Sequence, residues 1–166
     1  SLEEIAKEKA GIIAAKTPCI FGDLSIPKII EQTALDKKSD LYAVSRDCDL
    51  RYPKHQASGD FGLTAWYGKR TAIHAIKTPP HWAEGEYSDL AIALMAIEIV
   101  DTLLLPTTSE LNHILQNFSV PGRFQIIEKN QTWILDVAHN PHAARNLSWK
   151  LHSLDFQRKN TNLLEN

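Results

Sequence analysis

Eight consecutive residues, Leu135-Asp136-Val137-Ala138-His139-Asn140-Pro141-His142, hold the most chemically suggestive pattern in the chain. An apolar strand runs there into a helix. The first turn of such a helix offers free backbone N–H groups and the positive end of its dipole, with Asp136 and His139 at the junction. A phosphate or a carboxylate suits that arrangement. Two other readings use the same residues. In one, Asn140 is an N-cap, Pro141 its N1 residue and His139 an exposed loop residue. In the other, Asp136, His139 and His142 ligate a metal, although no nearby Cys, His or Glu clearly supplies the further ligand. Shortly upstream, Val120-Pro121-Gly122-Arg123-Phe124 presents Arg123, whose planar donor fork matches phosphate oxygens. Alone, an Arg after Pro-Gly also reads as a solvated turn residue. Lys9, near the end of a first helix, alone reads as a complement to the helix dipole.

The elements that must position these residues follow from capping signals and periodicity. Ser1-Leu2-Glu3-Glu4 has the form of a capping box, and Gly11 is a plausible C′ residue for a short helix ending near Lys9. Residues 17–21 form a short apolar run closed by Gly22-Asp23, and Pro27 starts a helix carrying Ile29, Ile30, Thr33 and Ala34. The stretches 41–52, 62–67 and 71–76 are rich in β-branched and aromatic residues and predict an antiparallel meander with Gly68-Lys69-Arg70 as a turn. After a loop at Pro79-Pro80 and Gly85, Ser88 caps a buried helix predicted over about 89–103. Thr107-Thr108-Ser109-Glu110 is a second capping box, with Leu111, Ile114, Leu115 and Phe118 at helical spacing behind it. Pro121-Gly122 ends that unit. Strands over 124–128 and 132–138 flank Lys129-Asn130-Gln131, and a helix opened by Pro141 carries Ala144, Leu147, Leu151 and Leu154 on one face. Residues 155–166 are polar and predict a frayed tail. There is no internal repeat.

With 166 residues and 43% hydrophobic content, the chain fits one ordinary domain or parts of two. A net charge of -2 and a pI near 6.4 give no reason to expect a nucleic-acid or membrane partner, which leaves a small molecule or another protein as the default partner; a monomer is expected. Cys19 and Cys48 are far apart without CxxC spacing and read as reduced packing thiols. The apolar run 90–97 is followed by Glu98 and Asp101 and is too short to span a bilayer. No secretory signal opens the sequence, so a cytoplasmic protein is expected.

Three segments together are far more specific than any one of them. Glu3-Glu4-Ile5-Ala6-Lys7-Glu8-Lys9-Ala10-Gly11-Ile12, then Pro121-Gly122-Arg123-Phe124-Gln125, then Asp136-Val137-Ala138-His139-Asn140-Pro141-His142-Ala143-Ala144 resemble, in order and spacing, the folylpolyglutamate/dihydrofolate synthases of the Mur ligase superfamily. The resemblance implies an α/β fold: the trailing part of a P-loop-type ATPase domain over 1–119, then the start of a Mur-ligase-type C-terminal α/β domain over 120–154, with 155–166 as a polar tail. It implies ATP and magnesium as cofactors, and folate or dihydropteroate with glutamate as substrates. The substrate carboxylate is phosphorylated by ATP and the glutamate amine attacks the acyl phosphate. Residue by residue, Lys9 would be carbamylated and hold magnesium through its carbamate, a hard oxygen ligand of the kind that ion prefers. Arg123 would contact ATP phosphates and Asp136 the ribose. His139 would sit near the phosphates, with Asn140 beside it in the nucleotide site. Lys9 and His139 are the candidate catalytic residues.

Two departures qualify the resemblance. No G-x-x-x-x-G-K-[ST] phosphate cradle occurs in the chain; Gly68-Lys69-Arg70 lacks both the preceding Gly and the following hydroxyl. Where the family commonly places an adenine-contacting Asn, Ser88-Asp89-Leu90-Ala91 has Asp89, whose ionised carboxylate cannot donate as an amide can. By this comparison the chain is an internal piece of such a ligase. A non-catalytic remnant or nucleotide-binding module is the alternative.

Overall fold

A computed structural model describes residues 2–22, 25–52, 64–79 and 81–153. The expected tail over 155–166, together with Leu154, lies outside them, as do the first residues of the strand expected from Gly62. Five α-helices, one 3-10 turn (Thr102–Leu104) and seven short strands are described: α1 (Leu2–Ala10), β1 (Cys19–Phe21), α2 (Lys28–Asp36), β2 (Leu41–Ala43), β3 (Asp49–Arg51), β4 (Thr64–Tyr67), β5 (Ala72–Ile76), α3 (Glu84–Val100), α4 (Thr108–Asn117), β6 (Gln125–Glu128), β7 (Thr132–Leu135) and α5 (Pro141–Ser153). The class is mixed α/β, as read from the sequence.

The meander holds for β3-β4-β5, which pair antiparallel in that order. Its first stretch does not run straight from 41 to 52. β2 pairs parallel with β1 across the α2 crossover, Cys19 opposite Leu41. The chain then turns at Ser45, where φ is 70°, before entering β3. Asp47 sets this turn: its carboxylate accepts the Ala43 N–H at 2.9 Å and the Arg46 Nε–H at 2.8 Å. An Asp side chain that reaches back to an upstream backbone amide closes the break in place of a ladder hydrogen bond. Between β4 and β5 the register slips and Ala75 takes φ 57°, an irregularity that α4 clips in place through Asn112, which accepts from Lys77 N at 2.7 Å and donates to Ala75 O at 3.2 Å.

α3 begins earlier than the predicted Ser88 cap. Glu86 accepts the Ala83 N–H at 2.9 Å, so the first turn closes around Ala83 rather than Ser88. Ser88 instead donates its hydroxyl to Gly22 O at 2.8 Å, tying α3 to the end of β1. α4 starts as predicted, with Thr107 and Glu110 in a reciprocal capping box.

The main core lies where α3 and α4 meet the β3-β4-β5 sheet: Trp66, Ile76, Ala91, Leu94 and Met95 are essentially inaccessible to water. One charged group belongs to it. Glu98, 2% exposed, points from α3 into the β4–β5 turn, where its two oxygens accept the N–H groups of Lys69 at 2.8 Å, Arg70 at 2.9 Å and Thr71 at 3.0 Å. Gly68 opens that turn; a Cβ there would stand 2.3 Å from the Trp66 ring and 2.6 Å from the Glu98 carboxylate. A smaller cluster of Ala10, Ile13, Ile30 and Ala34 joins α1 to α2 beneath β1.

Cys48 is buried in the main core, and burial pushes its thiol up to about 11, with the nearby carboxylates of Asp47, Asp49 and Glu98 adding to the effect. The thiolate is the nucleophile. Cys48 is therefore expected to resist iodoacetamide at pH 8 in the native chain and to react fully in urea, whereas half-buried Cys19 reacts first. Mass mapping of the alkylated peptides checks this order; native labelling of Cys48 as fast as Cys19 would contradict the buried placement. No helix among the described residues is long and apolar enough to cross a membrane.

Candidate nucleotide site

The Pro-Gly-Arg-Phe-Gln and Asp-Val-Ala-His-Asn-Pro segments, twelve residues apart between Phe124 and Asp136, meet at the open end of the β6–β7 hairpin. Each segment has a local cause. Pro121 fixes one turn position, Gly122 takes φ 72° at the next, and Arg123 N–H closes on Val120 O at 3.0 Å, the pattern of a type II turn. Gln125 Oε1 accepts the Gly122 N–H at 3.1 Å and braces the turn from below. Phe124 follows at φ 48°, a conformation that costs a non-glycine residue energy and needs support from its surroundings.

Asp136 provides part of that support. One carboxylate oxygen accepts the Phe124 N–H at 2.9 Å and the other the Ala138 N–H at 2.8 Å. The two motifs are thereby clamped by a single side chain, and Val137 packs within 3.3 Å of where a Cβ on Gly122 would stand. Arg123 is exposed and its guanidinium engages none of the described residues. His139 is exposed as well. Its Nδ1 lies 2.9 Å from Val137 O, an acceptor, so Nδ1 is the donor and Nε2 is the nitrogen available to a ligand.

Asn140 caps α5, its Oδ1 accepting the Ala143 N–H at 2.9 Å. This corrects the expectation of a first turn with several free amides: Pro141 has no N–H and that of Ala143 is engaged, which leaves His142 N–H to serve a ligand. The His142 side chain lies outside what is described. α5 also turns a different face inward than predicted. Ala143, Asn146, Leu147 and Lys150 line its inner side, at the spacing i, i+3, i+4, i+7, while Ala144 and Leu151 are exposed. Lys150 is 8% exposed and pairs with Glu86 of α3, which explains the rotation: a buried ammonium must keep its carboxylate.

Lys9 is not brought to this cluster. It is exposed on the last turn of α1, its carbonyl accepting the Ile12 N–H at 3.2 Å, and no hydrogen bond or ion pair joins it to the Arg123 or His139 segments among the described residues. Asp89 is exposed on the second turn of α3. No group of three His, Cys, Asp or Glu is placed to hold a metal ion among the described residues. Sequence reasoning missed His81 and Lys150, which lie against the Phe124 ring, and Glu86, which pairs with Lys150. The one signal for them was Glu86, three residues after Ala83 at the head of an apolar run.

In sequence and in fold the chain is similar to a group of α/β synthases. They are the folylpolyglutamate/dihydrofolate synthases to which its three motifs point. The dihydrofolate synthase/folylpolyglutamate synthase of Escherichia coli K12 is 28% identical over 152 residues, covering 92% of this chain and 33% of that protein. The Yersinia pestis bifunctional enzyme, solved with AMPPNP and Mn ion, is 27% identical with a TM-score of 0.68, over 92% of this chain and 34% of that one. E. coli FolC in complex with DHPP and ADP is 25% identical with a TM-score of 0.70, over 93% and 34%. No family model matches the chain. The chain spans about a third of the length of the curated relatives it matches.

Proposed function

We propose that the chain carries one side of the nucleotide site of an ATP-dependent ligase that joins L-glutamate to dihydropteroate or a folate through an acyl phosphate. The observation that supports this reading is the clamp of Asp136 on Phe124 and Ala138, which joins the segment carrying exposed Arg123 to the one carrying His139 and Asn140, in a chain whose relatives were solved with AMPPNP or ADP. In this reading Arg123 takes phosphate oxygens, Nε2 of His139 and the amide of His142 lie against the same group, and Asp136 stands toward the ribose. Asn140 contributes as the cap that orients the helix. Charge neutralisation at the phosphates is the share of catalysis these residues supply.

Magnesium does not fit the described residues by themselves. Lys9, as a carbamate, would bring oxygen ligands to a shared metal, but no cluster of three carboxylates, imidazoles or thiols stands around it among the described residues. The division into units 1–119 and 120–154 is supported by the β6–β7 pair, which forms its own sheet and is joined to neither of the other two.

The test is titration of the chain with ADP or AMPPNP, followed calorimetrically. Arg123→Ala should weaken binding by roughly ten- to a hundredfold, the worth of a charge-assisted contact of about 1.5–3 kcal/mol. Equal affinity in the variant would remove Arg123 from the site. Binding without any glutamate ligation is the result expected of the nucleotide-binding module reading.

A further inference from the structure

Lys150 sits where the periodicity of α5 gives no reason for a buried residue, yet it is among the least exposed residues of that helix. Burying an ammonium is costly unless a carboxylate and further favourable contacts receive it. Both are present. Its Nζ pairs with Oε1 of Glu86, whose Oε2 is held by the Ala83 N–H at 2.9 Å in the first turn of α3. The same Nζ stands 5.5 Å from the centre of the Phe124 ring, within the reach of a cation–π contact. His81, just before α3, stacks on that ring at 5.2 Å with the planes 29° apart. Phe124 is 4% exposed, and the residue before it is Arg123.

We infer that Lys150 is a positioning residue: together with Glu86 and His81 it seats Phe124, and through Phe124 it fixes the turn that presents Arg123 and locks that turn to the head of α3. One end of the arrangement leads into β6 and α5 and the other lies in and just before α3, and the β6–β7 sheet is hydrogen-bonded to neither of the other two, so the seat is also what couples the β6–β7–α5 unit to the α3 region. The chemistry of each member suits the role. A cation over an aromatic face gains from desolvation, and a Glu already fixed by a backbone amide loses little freedom in pairing. Burial holds the His81 imidazole below its ordinary range, the Lys150 ammonium pushes it the same way and Glu86 opposes them, so the stacked ring tends to stay neutral beside the ammonium. Phe124 also has a strained backbone, φ 48°, which the Asp136 carboxylate supports from one side and this seat from the other. The role of Arg123 as a phosphate contact rests on the function proposed above; the seat itself does not.

Trypsin reads the seat directly, because the Arg123–Phe124 bond becomes a substrate only when the Phe124 side chain leaves its place. Limited digestion of the whole chain, with cleavage sites mapped by mass spectrometry, should show this bond cut slowly in the unaltered protein. Lys150→Met keeps the apolar stem and removes the charge, and Glu86→Gln removes the partner. Each should speed cleavage at Arg123–Phe124 by about tenfold or more relative to cleavage at Arg51–Tyr52 and Lys16–Thr17, the factor by which losing one partner of a buried pair at minimum shifts a local opening. The double variant should add little to either single one. Lys150→Arg should restore most of the protection. Equal acceleration at every site, or no rescue by arginine, would assign Lys150 a general stabilising role and overturn the inference, as would unchanged cleavage. ADP titration of the same variants separates the two readings: if the unaltered chain binds no ADP, the nucleotide assignment fails while the digestion pattern still decides the seat.

Discussion

Glu98→Ala is expected to lower the folding stability of this chain by roughly 3 to 5 kcal/mol, because a buried side chain is lost from the core and three part-buried backbone donors lose their acceptor at once. The Lys69, Arg70 and Thr71 N–H groups all converge on the two Glu98 oxygens within 3.0 Å. Successive amides pointing inward form a cradle that would otherwise attract an external anion, and here an internal carboxylate fills it. The arrangement is tight on its other side too, since Gly68 leaves no room for a Cβ against Trp66 and Glu98. Glu98→Gln should be milder, roughly 1 to 3 kcal/mol, because one amide oxygen still accepts from two donors while the NH2 group faces the third. Urea unfolding monitored by tryptophan fluorescence measures both, with the midpoint moving and the slope staying constant. An alanine variant within about 1 kcal/mol of the parent chain would mean that the turn finds other partners and that Glu98 is not its anchor.

How much of this was legible beforehand depends on the distance between cause and effect. The capping box at Thr107 and Glu110, the turn at Lys129-Asn130-Gln131 and the Pro-Gly turn at 121–122 are written in neighbouring residues, and each forms where expected. Glu98 was legible only as a charge that ends an apolar run. Its partners lie 27 to 29 residues upstream, and nothing in local periodicity announces them. Lys150 is the same case at 64 residues' separation from Glu86, and it turned α5 by about one position from the face its leucines suggest. The parallel pairing of β1 and β2 was hidden for another reason: the break at Ser45 depends on one side chain, Asp47, inside a run that otherwise reads as continuous strand. At the site, residue types revealed Arg123, Asp136, His139 and Asn140, and the family resemblance supplied their roles. The double engagement of Asp136 needed coordinates, whereas the cap at Asn140 was one of the readings its place before Pro141 already offered. Lys9 remains known by its motif alone.

Asp136→Ala should have the largest effect on the site, greater than that of Arg123→Ala, even though Arg123 is the side chain free to meet a ligand. Its carboxylate is the common acceptor for Phe124 N–H and Ala138 N–H, at 2.9 and 2.8 Å, so its removal orphans a donor on each motif. Each orphaned amide in a half-buried setting is worth about 1 kcal/mol or more, and Phe124 additionally loses a support for its left-handed backbone, so roughly 2 to 4 kcal/mol of local ordering should go. Arg123, His139 and the cap at Asn140 all hang on the segments so released. Nucleotide affinity should therefore fall by more than the loss of one charged contact, and amide hydrogen exchange at Phe124 and Ala138 should accelerate together. Asp136→Asn separates bracing from contact. An amide keeps one acceptor oxygen and can hold one of the two N–H groups, so exchange should rise at one of them and affinity should fall by an intermediate amount. If instead both amides stay protected in Asp136→Asn while ADP affinity collapses, the carboxylate meets the ribose directly, and the bracing role assigned to it must be given up.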